Sequence, residues 1–189
     1  MTLRVILGVA GASGAGLGVS VARQLLALGA EVDLVVSPAA ERTLVAECGP
    51  AAWEGLRVMA TRCHDIGNIG ASISSGSVTV TGMIVAPCSM RSLAAIAHGL
   101  DDNLLTRAAG VQLKERRRLV LLTREAPLTL AHLRNMTAAT EMGAVLLPPV
   151  PAFYLNPSSV QAIIDQIAAR AIDLLAIAKP AAQQWHEGG

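Results

Sequence analysis

Arg124 closes the apolar run "RLVLLTR", a place where an unpaired guanidinium would be costly to keep. Phosphate is its natural partner, because the planar fork of the guanidinium can donate two parallel hydrogen bonds to an oxyanion. Glu125 follows directly and is suited to orienting a cation or moving a proton. Just upstream, "LKERRR" holds Lys114, Arg116, Arg117 and Arg118. At least two of these arginines read as a solvated helix end that complements the helix dipole. A second group lies in "PPVPAFY", Pro148 to Tyr154, which contains the only Phe and the only Tyr of the chain. Prolines stiffen that loop, so the ring and the phenol hydroxyl it presents suit the wall of a site better than a core. Glu47, at the end of a helical segment, is a candidate for proton transfer, although a surface carboxylate is the commoner role. Arg170 interrupts an apolar helix and is placed to pair with Asp173 at i+3.

The elements that must position these groups follow from hydrophobic patterning. "LRVILGVA" is a continuous apolar run, as in a strand buried on both faces, and it feeds the small-residue turn "GASGAG", Gly11 to Gly16. A helix over "GVSVARQLLALG" stops at Gly29, "EVDLVVS" is a second strand, and Pro38 opens a second helix. The segment from about Cys48 to Thr81 is less regular, with a short helix in "PAAWEGLRVMA" and a hydroxyl-rich loop in "ASISSGS". Then come the strand "GMIVAPCS", the helix "MRSLAAIAHG" and a helix in "DDNLLTRAAGVQLKERR", capped at Asp101 or Asp102. The strand "RLVLLTR", the helix "TLAHLRNMTAATEMG", the strand "AVLLPP" and a long helix after Pro157 and Ser158 complete the chain. This alternation predicts one α/β domain over residues 1–189: a doubly wound, mostly parallel, Rossmann-like sheet, with a tail over 179–189.

Ligands of such sheets bind at the carboxyl ends of the strands. Small residues in the Gly11–Gly16 turn let backbone N–H groups approach an anion, or simply let helix and sheet pack closely. The turn is neither a clean GxGxxG nor a P-loop. Ser37 stands where a dinucleotide site expects an acidic residue, which lowers NAD and leaves room for a flavin mononucleotide. Cys88 in "PCSM" has no local His or Asp partner and reads as a buried thiol. Ser89, Met90 and Arg91 are better placed to donate hydrogen bonds to a ligand.

With 189 residues, 52% hydrophobic and 15% charged, the chain has too little charge to cover its surface, which predicts buried subunit interfaces. A net charge of +1 points to neither nucleic acid nor an anionic membrane as partner. Three scattered cysteines and four histidines without ligand spacing predict no disulfide framework and no metal. The absence of a signal-peptide pattern and of a bilayer-length apolar run predicts a cytoplasmic protein.

The stretches "GASGA", "ASISSGS", "GMIVAPCSM", "LLTRAAGVQLKERR", "LVLLTREAPL", "HLRNM" and "GAVLLPPVPAFY" resemble the UbiX-type flavin prenyltransferases, and the likeness runs from about Leu3 to Asp173. The resemblance implies transfer of a dimethylallyl group from dimethylallyl monophosphate to reduced FMN, first at N5 and then at C6, without a metal. The prenylated FMN would pass to a UbiD-type decarboxylase. It implies FMN contacts from Gly11, Ala12, Ser13, Ser37, Cys88, Ser89, Met90, Arg91 and Arg124. It implies a donor phosphate site of Tyr154 and Arg170 with Lys114, Arg107, Glu125 and Arg124, proton handling by Ser13 and Glu47, and a ring at Trp185 beside the allyl group. Phe153 would anchor the Tyr154 turn. The family's sites are assembled between subunits of a dodecamer. Val78, Gly110 and Ala126 depart from the family pattern, at Phe, Asp and Thr respectively, and none of the three is assigned to chemistry. Two alternatives are an FMN-dependent cysteine decarboxylase on the same fold and a non-catalytic flavin carrier.

Overall fold

The computed structural model describes residues 3–185. Strand β1 (Arg4–Val9) is apolar from Val5 onward, and those five residues are fully buried, as a central parallel strand requires. It lies between β2 (Glu31–Val36) and β4 (Gly82–Cys88) in a six-stranded parallel sheet of order β3-β2-β1-β4-β5-β6. The outer strands are β3 (Arg62–His64), β5 (Arg118–Thr123) and β6 (Val145–Leu146). The order reverses between β1 and β4, so the crevice at their carboxyl ends is the place where this topology binds ligands.

Helices α1 (Ala15–Ala27), α2 (Pro38–Cys48), α3 (Ala52–Met59) and α7 (Val160–Asp173) cover one face, around Val21, Leu25, Leu44, Leu56 and Ile172. Helices α4 (Met90–Ala97), α5 (Leu104–Lys114) and α6 (Leu130–Glu141) cover the other, around Leu93, Ile96, Leu104 and Ala139. Short 3-10 turns occur at Ser72–Ser74 and Phe153–Leu155.

The predicted elements form, with four differences. Strand β3 emerges from the segment expected to be irregular. Its signal is polar: Asp33 of β2 is fully buried, accepts from Arg4 Nε at 2.6 Å and lies 2.7 Å from His64 Nε2. Burial alone would raise the Asp33 pKa, but the hydrogen bonds to Arg4 and His64 hold it below the usual carboxylate value. Helix α5 is capped one or two residues later than expected, because the carboxamide of Asn103, and neither Asp101 nor Asp102, accepts the Thr106 N–H at 3.1 Å. Helix α7 ends at Asp173, short of the full apolar run. Finally, Phe153 is 72% exposed, so its side chain does not anchor the turn in the protomer's core.

Close helix–sheet contact depends on Gly18. A Cβ there would lie 2.6 Å from the Ala86 carbonyl oxygen, a backbone atom of β4 that cannot swing away. Gly18→Ala is therefore expected to destabilise the protein by about 1–3 kcal/mol through overpacking, despite alanine's better helix propensity. Thermal or urea denaturation measures this, and a melting temperature equal to or above that of the parent would show that α1 can slide without penalty.

Candidate active site

Three helices direct their amino ends toward one cavity at the switch point. Ser37 caps α2 by accepting from Ala40 N at 3.2 Å, Ser89 caps α4 by accepting from Ser92 N at 3.3 Å, and Asn103 caps α5. Each follows directly from local sequence: a strand or loop end, then a hydroxyl or amide that satisfies a free N–H of the first turn. The cavity has a volume of about 600 Å³, and Gly11, Ser37, Ser89, Arg91 and Asn103 contribute to its lining. Aligned helix dipoles make this an anion-favouring space. Gly11 is required here because a Cβ would lie 2.3 Å from the Cβ of Ala39. Arg91 stands in the wall and pairs with Asp102, whose other oxygen accepts from Asn103 Nδ2 at 3.0 Å.

Ala12 and Ser13 continue the turn from Gly11, and Met90 packs against the second core. Cys88 is fully buried beneath this floor, and burial pushes its thiol up to about 12, so no thiolate nucleophile forms there. The Arg124 N–H donates to the Cys88 carbonyl at 3.1 Å, which ties the end of β5 to the same floor.

Glu47, at the end of α2, comes to the amino end of α1. Its Oε2 accepts from both Gly14 N and Ala15 N at 2.8 Å. Partial burial acts to raise its pKa, but the Ser13 side chain, these two N–H groups and the charge of Arg124 together hold it below the usual value. Ser13, Glu47 and Arg124, far apart in sequence, thus form one cluster. Gly14 permits the approach by adopting φ 102°, a conformation that favours glycine.

Tyr154 and Arg170 share a second cavity of about 390 Å³ with Trp185. The rings of Tyr154 and Trp185 meet edge to face, with centroids 5.3 Å apart. Arg170 makes no ion pair among the described residues, and the i+3 pairing with Asp173 does not form. Arg107 and Lys114 do not join them within the protomer. Both lie on α5, on the opposite face of the sheet, where Arg107 pairs with Asp101 at 2.8 Å and Lys114 with Glu115 at 2.5 Å. Glu125 is exposed and accepts from Ala126 N at 3.1 Å. No group of three or more acidic, His or Cys residues able to hold a metal exists among the described residues. Nor is any of their helices long and apolar enough to cross a membrane.

Two features escaped the sequence reading. Asp102 holds Arg91 in the wall of the larger cavity, and Arg117 bonds the Gly76 and Val78 carbonyls at 2.6 and 2.9 Å, so it clamps the hydroxyl-rich loop. Arg117 is no solvated helix end. The turn at Arg116, with φ 55°, is what directs it there, and helix periodicity gives no sign of that turn.

Comparison with known proteins agrees with this geometry. The Flavoprotein family model matches residues 1–179. The flavin prenyltransferase UbiX of Neisseria meningitidis is 51% identical over 98% of this chain and 97% of its own length. That of Escherichia coli K12 is 49% identical over 94% of each. A crystal structure of AnUbiX (PadA1) with FMN and dimethylallyl pyrophosphate superposes with a TM-score of 0.94, at 44% identity over 98% of each chain. A dodecameric FMN-dependent UbiX-like decarboxylase from E. coli O157:H7 gives 0.92, at 42% identity over 97% of this chain and all of that one. The cysteine decarboxylase TvaF, at 17% identity over 93% of this chain and 99% of its own, and a TM-score of 0.64, shares the fold alone. The chain belongs to the flavoprotein family and, within it, to the UbiX flavin prenyltransferases.

Proposed function

We propose that this protein transfers a dimethylallyl group from dimethylallyl monophosphate to reduced FMN, and that the prenylated FMN serves a UbiD-type decarboxylase. The observation that carries the donor side is the joining of Tyr154, Arg170 and the Trp185 ring in one cavity. Ionising an allyl phosphate requires a cation and a hydrogen-bond donor on the leaving group, with apolar walls that keep water from the developing carbocation. In this reading Arg170 is the cation, Tyr154 the donor, and Leu147, Ile167 and Trp185 the apolar walls.

The larger cavity fits FMN. Three capped helix amino ends suit its phosphate, Gly11 leaves room for close approach, and Ile66 and Leu105 offer apolar surface to a flat ring. Gly11, Ala12, Ser13, Ser37, Ser89, Met90, Arg91 and Arg124 would hold it, with Cys88 as a neutral floor. Reduced FMN supplies the nucleophilic positions N5 and C6. Arg170 and Tyr154 hold the departing phosphate, and Glu47, backed by Ser13, accepts and returns the proton at the α1 turn.

Arg107, Lys114 and Glu125 would reach the donor from a neighbouring subunit of a dodecamer. Exposed Leu128, Leu130, Leu133, Phe153 and Val160 support such burial between copies. The low charge and the absence of a membrane-crossing helix among the described residues are consistent with a cytoplasmic enzyme.

An anaerobic incubation with reduced FMN and dimethylallyl monophosphate or diphosphate, followed by mass spectrometry of the released flavin, tests the reading. Gain of one C5 unit, faster with the monophosphate, is expected. Unchanged FMN that stays bound with either donor would overturn it in favour of a carrier role.

A further inference from the structure

Asp173 stands three residues after Arg170 on α7, the spacing at which a carboxylate and a guanidinium pair on a helix surface. The carboxylate turns elsewhere. Its Oδ1 accepts from Ala181 N at 2.8 Å and its Oδ2 from Ala182 N at 3.1 Å. Two turns earlier on the same helix, Gln166 closes a reciprocal pair with the backbone of Gln183. Its Nε2 donates to Gln183 O and its Oε1 accepts from Gln183 N, each at 3.0 Å. Two side chains of α7 therefore grip three consecutive residues of the tail. Just beyond the grip, Trp185 meets Tyr154 and helps to wall the 390 Å³ cavity.

We propose that Gln166 and Asp173 are positioning residues for donor binding, clamping residues 181–183 onto α7 so that Trp185 closes the cavity of Tyr154 and Arg170. The inference rests on the assignment of that cavity to an allyl phosphate. The clamp acts twice. Bonds from a carboxylate to two backbone N–H groups are charge-assisted, and together with the amide pair they fix a chain end that has little core of its own. The same engagement turns the Asp173 carboxylate to the tail, and Arg170, which makes no ion pair among the described residues, is left to meet a phosphate. A tail released from the helix would lose the ring and return Asp173 to its helical neighbour.

The chain has two tryptophans, so Trp53→Phe leaves Trp185 as the sole emitter. Trp185 is 65% exposed, so its release is read as lost restraint. In that background Gln166→Ala and Asp173→Ala are expected to lower the fluorescence anisotropy of Trp185 and to increase its quenching by acrylamide. KM for dimethylallyl monophosphate should rise about tenfold for the loss of two hydrogen bonds, while kcat and FMN affinity stay within about twofold. Unchanged anisotropy and quenching in both variants would overturn the clamp. Lowered anisotropy with unchanged KM would overturn its role in donor binding. If the parent protein transfers no prenyl group, the donor role falls with the reading of the cavity, and the fluorescence shows separately whether the clamp exists.

Discussion

Arg170→Ala is expected to lower kcat/KM for the allyl donor by a hundred- to a thousandfold while FMN affinity is unchanged. The guanidinium is a fixed charge in a cavity walled by Tyr154, Trp185, Leu147 and Ile167, and it is not already spent on a carboxylate. On the proposed assignment this cation meets negative charge developing on the leaving group, and losing such a contact has effects of this size. Tyr154→Phe removes one neutral hydrogen bond and keeps the ring that meets Trp185, so a loss nearer tenfold is expected. On the proposed assignment both residues act on one phosphate, so the double variant should lose less than the product of the single effects. FMN titration and steady-state kinetics with varied donor measure all three. Near-parent turnover in Arg170→Ala, or a fall in FMN affinity that matches the loss in rate, would remove the phosphate from this cavity.

Glu47→Gln should lower kcat by a hundred- to ten-thousandfold, the range for removing a positioned proton-transfer group. The amide oxygen can still accept from Gly14 and Ala15, so folding and FMN binding should persist, which separates chemistry from structure. The pH dependence follows from the direction of the shift. The folded pKa of Glu47 is depressed, so its bonds to the α1 turn contribute stability above the unfolded value near 4.3 and lose it as pH falls through the folded value. The acid limb of kcat/KM that belongs to Glu47 should therefore lie below about pH 4.3. A kcat within tenfold of the parent would exclude Glu47 from proton transfer.

Sheet and helices were legible because their signals are local. The apolar run of β1, Pro38 at the first turn of α2 and the glycine stop after α1 each name their own element. Strand β3 was not legible, because it is held by Asp33 reaching Arg4 and His64 across strands and carries no hydrophobic alternation. The family likeness grouped Tyr154 with Arg170 and Ser13 with Glu47, yet the contacts that bring them together were not legible. Glu47 meets Ser13 only because α2 returns to the β1 turn, and Asp173 ignores Arg170 only because the tail offers it two N–H groups. Sequence spacing along one helix could not show a competitor 8 residues away on another segment.

The glycine turn after β1 is the place where many sheets of this topology seat a pyrophosphate. Here that seat has a permanent tenant. With the N–H groups of Gly14, the cap of α1, and of Ala15, its first residue, committed to Glu47, an incoming dinucleotide would have to displace a carboxylate or lie beside it. Prior occupancy of this kind would disfavour NAD-like molecules and leave the helix ends at Ser37, Ser89 and Asn103 for the phosphate of a mononucleotide. The carboxylate proposed for proton transfer would then also weigh on which class of nucleotide the protein admits.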